Sequence, residues 1–222
     1  VRRCVLIQNV DDLWPEALYD SSDQLLKNLY NLKLMKKGSL MSKVAELAAK
    51  ICYRKADAVT PISPAYVETI NKYGVEKSRI HVVRSGVDIT TFKPYPSLHN
   101  NERKFTVLYS GSFSIAYDFL QVLKAAKLLE EKDGEVEFIF QGKGELGDYI
   151  RSKIKELNLK NVRVIDKVFS REKVAELLNQ ADALILPTVD FGKPYTGISS
   201  KLYEYQAVGK PIICCALGQP AE

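Results

Sequence analysis

A lysine and a glutamate three positions apart near the end of the chain could form a small polar binding site. Lys201 and Glu204 lie in Ser199–Val208, which predicts a short helix with Ser199 as N-cap and Gly209 as C-cap. The helix dipole disfavours a lysine in the first turn, and a bound phosphate would reverse that preference. A carboxylate one turn further on lies on the same helix face. It can accept two hydrogen bonds from a vicinal diol such as a ribose.

The same spacing fits a second interpretation, in which the two side chains form only an exposed ion pair. Such a pair contributes about 0.2–0.5 kcal/mol to helix stability and needs no ligand. Spacing alone does not separate the two interpretations. The position of the neighbouring strands and loops therefore has to distinguish a binding site from an exposed ion pair.

Strands and helices alternate from Phe105 onwards, and their order would place this helix beside a crevice. Apolar runs separated by helical patterns predict an α/β fold with a doubly wound parallel sheet. Connections that follow parallel strands meet at one sheet edge, where ligands bind, and a helix N-terminus there adds an anion site. The predicted strands are 105–109, 136–140, 162–165, 183–186 and 212–215, the predicted helices are 118–132, 147–157, 171–180 and 199–208, and the loops expected to meet are 110–114, 142–144 and 196–201.

The segment 200–211, Ser-Lys-Leu-Tyr-Glu-Tyr-Gln-Ala-Val-Gly-Lys-Pro, resembles the nucleotide-sugar signature of GT-B glycosyltransferases of family four. The branch it resembles builds lipid-linked and surface polysaccharides with amino sugars. The resemblance implies a GT-B fold, with a Rossmann-like parallel-sheet C-terminal domain and the C-terminal part of a first Rossmann-like domain. It also implies that Glu204 holds the donor ribose. The other donor-binding residues expected at the crevice are Gly111, Ser112, Gly142, Gly144, Thr196, Gly197 and Ser200.

The activity implied is transfer of a hexose or N-acetylamino sugar from a nucleoside diphosphate, with UDP favoured, to a lipid-linked or glycan acceptor. The resemblance further implies retention of anomeric configuration, no metal and no cofactor. Charge builds on the leaving diphosphate as the anomeric bond breaks, and a cation aimed at its oxygens lowers the barrier. Lys201 is the residue we predict for that catalytic role.

The resemblance continues in the first half, which alternates predicted strands at 5–9, 58–62 and 80–84 with a helix from Ser63 to Tyr73. Residues 12–16 match the end of an "H-D-L-W-P-E" segment of the acceptor-side domain. Asp11 stands where a histidine often lies near the donor sugar, and we include it as a catalytic candidate, although Trp14 and Pro15 could simply close the strand end. The link 85–94 separates a partial N-terminal domain, 1–95, from a nucleotide-sugar-binding domain, 96–222, that is expected to lack its last elements.

Three further positions depart from the family pattern. Thr196 stands where members commonly carry the first of two glutamates, and it could bind a sugar hydroxyl but supplies no charge. Ser112 and Tyr117 lie about where the family has an arginine and a lysine for the diphosphate. Lys201, the backbone amides of Gly111 and Ser112 and the helix N-terminus would therefore have to neutralise that group.

A glycine loop at 142–147 supports a competing hypothesis. The strand 136–140 precedes a G-x-G-x-x-G pattern, and Asp166 follows about twenty residues later, as in dinucleotide-binding proteins. An NAD-dependent oxidoreductase therefore stays an alternative. The unit is the second β-α unit of its series, however, and no well-placed histidine for hydride chemistry accompanies it, so a nucleotide sugar is favoured.

Residues 21–55 predict two basic amphipathic helices broken near Gly38. Apolar stripes at 25, 29 and 32 and at 40, 44, 47 and 51 lie beside many lysines, with Glu46 the one acid between them. Such helices could lie on an anionic membrane surface, and the alternative is that the stripes pack inside the domain. A non-catalytic, membrane-associated nucleotide-sugar-binding subunit and a sugar-nucleotide epimerase therefore also stay open.

Composition fits a globular protein of one large or two small domains. The 222 residues are 46% hydrophobic and 27% charged, with a net charge of +5, and contain no apolar run of about 18 residues. The four cysteines show no metal-binding spacing and are typical of a reducing compartment. We expect a cytoplasmic protein, peripheral on the inner face of the cell membrane, with no nucleic-acid partner.

Overall fold

Two parallel β-sheets organise the residues that the computed structural model describes, which are 4–15, 36–95, 104–132, 134–189, 197–216, 218 and 220. The first sheet pairs β1 (Ile7–Val10) with β2 (Ala58–Pro61). The second has five strands, β3 (Phe105–Ser110), β4 (Val136–Gln141), β5 (Val162–Ile165), β6 (Ala183–Leu186) and β7 (Ile212–Cys214). Their order in the sheet is β5-β4-β3-β6-β7, with every pair parallel.

Six α-helices lie in the described part of the chain, and polar caps begin several of them. Ser39, Asp118 and Ser170 each accept a hydrogen bond from a first-turn backbone N–H, as capping residues do. Ser199 occupies the predicted N-cap position of the last helix, but its side chain makes no capping bond. The helices are α1 (Leu40–Lys55), α2 (Val67–Lys72), α3 (Phe119–Glu131), α4 (Gly147–Glu156), α5 (Arg171–Gln180) and α6 (Ser200–Ala207).

Two predictions for the first half need correction. The helix expected from Ser63 to Tyr73 is a 3₁₀ turn, Pro64–Tyr66, followed by the short α2. The strand expected at 80–84 is only an isolated bridge from Ile80 to β2. His81 and Val83 donate to carbonyls of β2. The ladder stops there because Pro61 has no N–H to donate in return.

Alternate residues of the second sheet point to opposite faces, and helices cover both. On one face, Tyr109 and Phe140 pack with α3 and α4 in a core that is rich in buried aromatic rings. On the other face, Leu108 and Leu184 pack with α5 and α6. The sheet is therefore doubly wound, as predicted, and its core fixes the strand ends from which the loops of the crevice leave.

The link between the two sheets is anchored to the second one. The Asp88 carboxylate accepts hydrogen bonds from the backbone N–H and hydroxyl of Thr90 and from the hydroxyl of Thr91, and these bonds hold the pKa of Asp88 far below its ordinary value. The turn directs Phe92 into the core beneath α5 and α6, where it is fully buried. Asn179 of α5 then bonds the backbone of the link on both sides of Pro94.

The first sheet has a smaller core and leaves apolar side chains exposed. Tyr53, Val59 and Ile70 are buried there. The predicted stripe on α1 faces outwards in the described structure, because Leu40, Val44, Leu47 and Ile51 are 80%, 60%, 58% and 46% exposed. The alternative that this stripe packs inside the domain is therefore wrong for the described residues. The other predicted stripe, at 25–32, lies outside them, and none of the described helices could cross a membrane.

Candidate functional site

The strand order places a crevice beside β3. The chain passes from β3 to β4 on one side, and β6 lies on the other, so this is the point where the order reverses and where such sheets bind ligands. The backbone N–H of Asp118 donates to the carbonyl of Pro187 at 2.7 Å, and Tyr117 forms an isolated bridge with Thr188. These contacts join the loops that follow β3 and β6, and the start of α6 lies against them.

Two glycine loops stack on each other at this edge. A Cβ on Gly142 would lie 1.7 Å from the carbonyl oxygen of Gly111, and one on Gly144 would lie 2.4 Å from that of Phe113. Gly111 itself has a φ of +144°, and a Cβ there would lie 1.9 Å from Cε of Lys201. The G-x-G pattern is therefore accounted for by close backbone packing. A direct donor contact by Gly142 or Gly144 stays a prediction.

Lys201 reaches from the first turn of α6 over the loop that follows β3. Its Nζ donates to the hydroxyl of Tyr117 at 3.1 Å and lies 4.8 Å from the centroid of that ring and 6.0 Å from that of Tyr109. Rings attract the ammonium through their negative faces. Among the described residues, no carboxylate forms an ion pair with Lys201. Its positive charge is therefore held beside the Gly111 loop, where it could meet an anion.

Glu204 lies one turn further along α6 and pairs with Arg171 rather than with Lys201. Its Oε1 is 4.0 Å from Nη2 of Arg171, and its side chain is 25% exposed. Burial raises the pKa of Glu204, while the charges of Arg171 and Lys201 oppose that rise. Arg171 also stacks its guanidinium 5.1 Å from the ring centroid of Phe92. The exposed Lys201–Glu204 pair offered as the alternative interpretation is therefore not formed.

A buried polar chain ties the strand ends beneath the crevice. The backbone N–H of Ser110 donates to the hydroxyl of Tyr205 at 3.0 Å, and that hydroxyl lies 3.3 Å from the Ser110 carbonyl, to which it donates. The Ser110 hydroxyl donates to Gln141 Oε1, and Gln141 Nε2 donates to the carbonyl of Lys167, both at 2.5 Å. This chain connects α6 to the ends of β3, β4 and β5. Burial also raises the pKa of Tyr205, which keeps its proton.

Two more predicted donor residues lie at the crevice. Ser112 is exposed, and its carbonyl accepts a hydrogen bond from the hydroxyl of Tyr109 at 2.6 Å, which fixes the loop backbone. Ser200 is exposed in the first turn of α6. Neither side chain has a donor-binding role that the geometry assigns, so both stay predictions.

The loop before α6 is described only in part. Thr196 lies outside the described residues, and Gly197 is the first residue beyond that gap. A Cβ on Gly197 would lie 2.9 Å from the hydroxyl of Tyr66, which belongs to the first sheet's unit. The side chain of Tyr66 therefore reaches the loop that the resemblance assigns to the donor sugar.

Asp11 lies at the end of β1, outside the crevice beside β3. Its carboxylate accepts a hydrogen bond from Nδ2 of Asn9 at 2.8 Å. With Asp12 and Trp14 it lines a cavity of about 620 Å³ whose other wall is α1. Asp11 and Lys201 share no hydrogen bond or ion pair among the described residues, and the catalytic role of Asp11 stays a prediction.

The arrangement does not favour the dinucleotide hypothesis. The glycine loop follows β4, which is one strand away from the point where the strand order reverses. Asp166, the acid required for the ribose, forms an ion pair with Arg151, which also pairs with Asp148 at 2.7 Å. No cluster of His, Cys, Asp and Glu that could hold a metal occurs among the described residues.

Sequence reasoning missed three residues of this site. Arg171 begins the predicted helix 171–180, and the signal for its place near Glu204 is that a helix following a parallel strand starts at the sheet edge where ligands bind. Tyr205 lies inside the 200–211 segment and Gln141 lies between the predicted strand and the glycine loop, but their hydrogen-bond partners are 95 and 31 residues away in sequence. Only the folded chain brings these groups together.

The family model described as "Glycosyl transferases group 1" matches residues 95–222. A protein of Escherichia coli K12 that is named for colanic acid biosynthesis, the glycosyltransferase WcaL, is 25% identical over 162 residues, which are 72% of this chain and 40% of that protein. The 2-deoxystreptamine N-acetyl-D-glucosaminyltransferase of Niallia circulans is 31% identical over 121 residues, 54% of this chain and 29% of that protein.

A similar fold is seen in the crystal structure of Anabaena HepE in complex with UDP and glucose. Its TM-score is 0.67 at 17% identity, over 95% of this chain and 52% of that one. The chain thus spans two fifths or less of the two relatives by sequence. The predicted α/β fold of GT-B type is confirmed. Because the matched residues include all three loops of the crevice and the whole second sheet, the chain belongs to the group 1 glycosyl transferases.

Proposed function

We propose that the protein transfers a hexose or N-acetylamino sugar from a nucleoside diphosphate, with UDP favoured, to a lipid-linked or glycan acceptor. The observation that carries the proposal is the position of Lys201, whose ammonium lies over the Gly111 loop without a carboxylate partner among the described residues. A cation held there can meet a diphosphate. The curated relative WcaL is named for polysaccharide biosynthesis, and HepE was crystallised with UDP, which supports the acceptor class and the base.

The proposed chemistry exchanges one oxygen for another at the anomeric carbon. The bond from that carbon to the diphosphate oxygen breaks, and the acceptor hydroxyl oxygen forms the new bond. The hydroxyl proton and the bonding electrons leave with the nucleoside diphosphate. Negative charge therefore grows on the diphosphate in the transition state, and Lys201 together with the first-turn amides of α6 would stabilise it. We assign Glu204 to the ribose and expect retention of configuration without a metal.

Ligand binding and turnover in the intact protein test this proposal. Thermal unfolding is measured with UDP, GDP and NADH, because a ligand that binds the native state raises its stability. Stabilisation by UDP or GDP, followed by release of that nucleotide from its glucose or N-acetylglucosamine conjugate, is the expected result. Preferential stabilisation by NADH would instead favour the oxidoreductase, and nucleotide binding without turnover would favour a non-catalytic subunit.

The exposed face of α1 supports a second proposal, which concerns location. Lys43, Lys50 and Arg54 recur at helical spacing and so lie together beside the exposed stripe of Leu40, Val44, Leu47 and Ile51. Apolar and basic rows side by side suit an anionic membrane surface, where each basic residue adds about 1 kcal/mol. We therefore place the protein on the cytoplasmic face of a cell membrane, near lipid-linked acceptors.

Vesicle flotation tests the location. The protein is expected to float with vesicles that contain phosphatidylglycerol and not with pure phosphatidylcholine vesicles, and added salt should weaken the binding. Leu47→Asp should abolish flotation, whereas Leu128→Asp, at an exposed leucine of α3, should leave it unchanged. Equal flotation of the wild type and Leu47→Asp would contradict membrane docking through α1.

A further inference from the structure

The hydroxyl of Tyr117 is the hydrogen-bond acceptor that the structure gives to the ammonium of Lys201. The ring is almost buried, at 8% exposure, and packs edge-on against Tyr109 at 5.3 Å between centroids. Its hydroxyl lies 3.1 Å from Nζ of Lys201 and 3.3 Å from Oγ of Ser199. A buried tyrosine with its polar end in a crevice has a fixed position, and it can hold a flexible lysine chain in one orientation.

The backbone around Tyr117 is equally fixed. Its N–H donates to the carbonyl of Ser114 at 3.1 Å, and the residue bridges to Thr188 in the loop after β6. On either side of that bridge, the N–H of Val189 donates to the carbonyl of Ala116 at 3.1 Å and the N–H of Asp118 donates to the carbonyl of Pro187 at 2.7 Å. Tyr117 is therefore clamped between the two loops that leave the point where the strand order reverses.

The Lys201 ammonium and the Tyr117 hydroxyl both have protons available to donate to a ligand. A lysine ammonium has three protons, and only one is used by Tyr117, so two remain for a ligand. The tyrosine hydroxyl accepts that charge-assisted bond and keeps its own proton to donate, either to Ser199 or to an oxygen of a bound anion. Hydrogen bonds in a chain polarise one another, so the bond from Lys201 strengthens the one that Tyr117 donates.

From this geometry we propose that Tyr117 is a positioning residue for Lys201 and donates its hydroxyl proton, as a hydrogen bond, to the diphosphate of the donor. The proposal rests on the proposed function, since it needs a diphosphate in the crevice. Lys201 and Tyr117 then form a pair in which one charged group and one neutral donor face the same phosphate oxygens. No proton is transferred in this role.

Tyr117→Phe tests the proposal, because it removes the hydroxyl and keeps the ring below the ammonium. We expect kcat to fall about tenfold, the usual effect of one hydrogen bond to a charged group, with less than about a threefold change in KM. The melting temperature without ligand should stay near that of the wild type, while the stabilisation by UDP or GDP should shrink. Tyr149→Phe is the matched control, since Tyr149 also lies beneath a lysine ammonium, that of Lys153, but outside the crevice.

A double-mutant cycle separates positioning of Lys201 from a general structural role. If Tyr117 acts mainly by orienting Lys201, then Tyr117→Phe should cost only about threefold when added to Lys201→Ala, because its own hydrogen bond to the diphosphate is then all that is lost. Fully additive losses, or a Tyr117→Phe enzyme with wild-type kcat and ligand stabilisation, would overturn the proposal. A wild-type protein that neither UDP nor GDP stabilises would overturn the proposed function as well, which distinguishes that failure from the failure of Tyr117.

Discussion

The two sheets of the molecule differ in how completely they cover their own apolar surface. The second sheet has helices on both faces, and its core includes edge-on aromatic contacts among Tyr109, Phe119 and Phe140. The first sheet buries a smaller cluster, while Leu6 and Ile7 of its first strand region and the stripe on α1 are exposed in the described structure. The comparison shows that the crevice beside β3 is positioned by the packing of its own unit. The cavity beside Asp11 is formed by the first sheet and α1, whose apolar surface is less completely covered.

The largest effect is expected from a mutation in the core of the second sheet, and it tests whether that sheet depends on its own packing. Phe140 is completely buried among the rings beneath β3 and α3. Phe140→Ala should lower the free energy of unfolding by about 3–5 kcal/mol, measured by denaturant titration, because it removes buried area and leaves a cavity. Leu128→Ala, at a 59% exposed position on α3, is the control. A cost below about 1 kcal/mol for Phe140→Ala would show that this unit does not depend on its own core.

Lys201→Ala should give the next largest effect, on catalysis rather than on folding. Removal of one preorganised charge from a site of growing negative charge lowers kcat by about 100- to 1,000-fold. Lys210→Ala, just beyond the opposite end of α6, should leave kcat within about twofold. Unchanged turnover in Lys201→Ala would show that Lys201 is not catalytic. The second sheet would then no longer differ from the first as the one that holds the catalytic lysine.

Glu204 should show a pH dependence with a definite sign. Burial raises the pKa of its carboxyl, so the group takes up its proton at a higher pH than a solvated glutamate does. The acid limb of kcat/KM should therefore lie above the ordinary glutamate range. Glu204→Gln should lower kcat/KM about 10- to 100-fold at neutral pH, since a hydrogen bond from the ribose to a charged acceptor becomes one to a neutral acceptor.

The raised pKa of Glu204 has the opposite consequence for stability: at neutral pH the charged carboxylate supports activity but disfavours folding. A carboxyl whose pKa is raised in the folded state favours folding when protonated, and that contribution is lost as the pH rises through the folded-state pKa. Glu204→Gln should therefore melt at the same temperature as the wild type or higher at pH 7, and the difference should vanish at low pH. A variant that is clearly less stable at pH 7 would show that the Arg171 pair outweighs burial.

The smallest effect is expected on the exposed face of the first unit. Val44 is 60% exposed on α1, so Val44→Ser should change the free energy of unfolding by no more than about 0.5 kcal/mol. Chemical denaturation of the intact protein in the absence of lipid measures this. A cost approaching that of Phe140→Ala would mean that another part of the protein covers the stripe, and the contrast between the two sheets would then disappear.

Local patterns in the sequence predicted most of the second unit. Apolar runs predicted its five strands to within one residue at their ends, and the helices predicted at 118–132 and 171–180 begin at Phe119 and Arg171 in the structure. Such signals are local, since strand burial and helix capping each depend on a few neighbouring residues. The bridge at Ile80 was overpredicted as a strand because a partner without an N–H, Pro61, cannot be inferred from the apolar run itself.

The site was predictable in its position and less so in its contacts. The loops 110–114 and 196–201 were expected to meet, and Lys201 does lie against Gly111, while the roles of both residues stay predictions. The pairing of Glu204 with Arg171 and the contact of Lys201 with Tyr117 each join residues that are far apart in the sequence, 84 positions in the second case. No periodicity encodes such pairs, because they are set by which helices flank which strand end.

The stacked glycine loops limit how this protein can change its choice of donor. Where Gly142 lies under the carbonyl of Gly111, the backbones of the two loops are in direct contact, and no added side chain fits between them. Evolution or design can therefore alter this contact only by moving whole loops. We expect new sugar specificities to arise instead from side chains on the rim, such as Ser112 and Arg171, where substitutions leave the chain path intact.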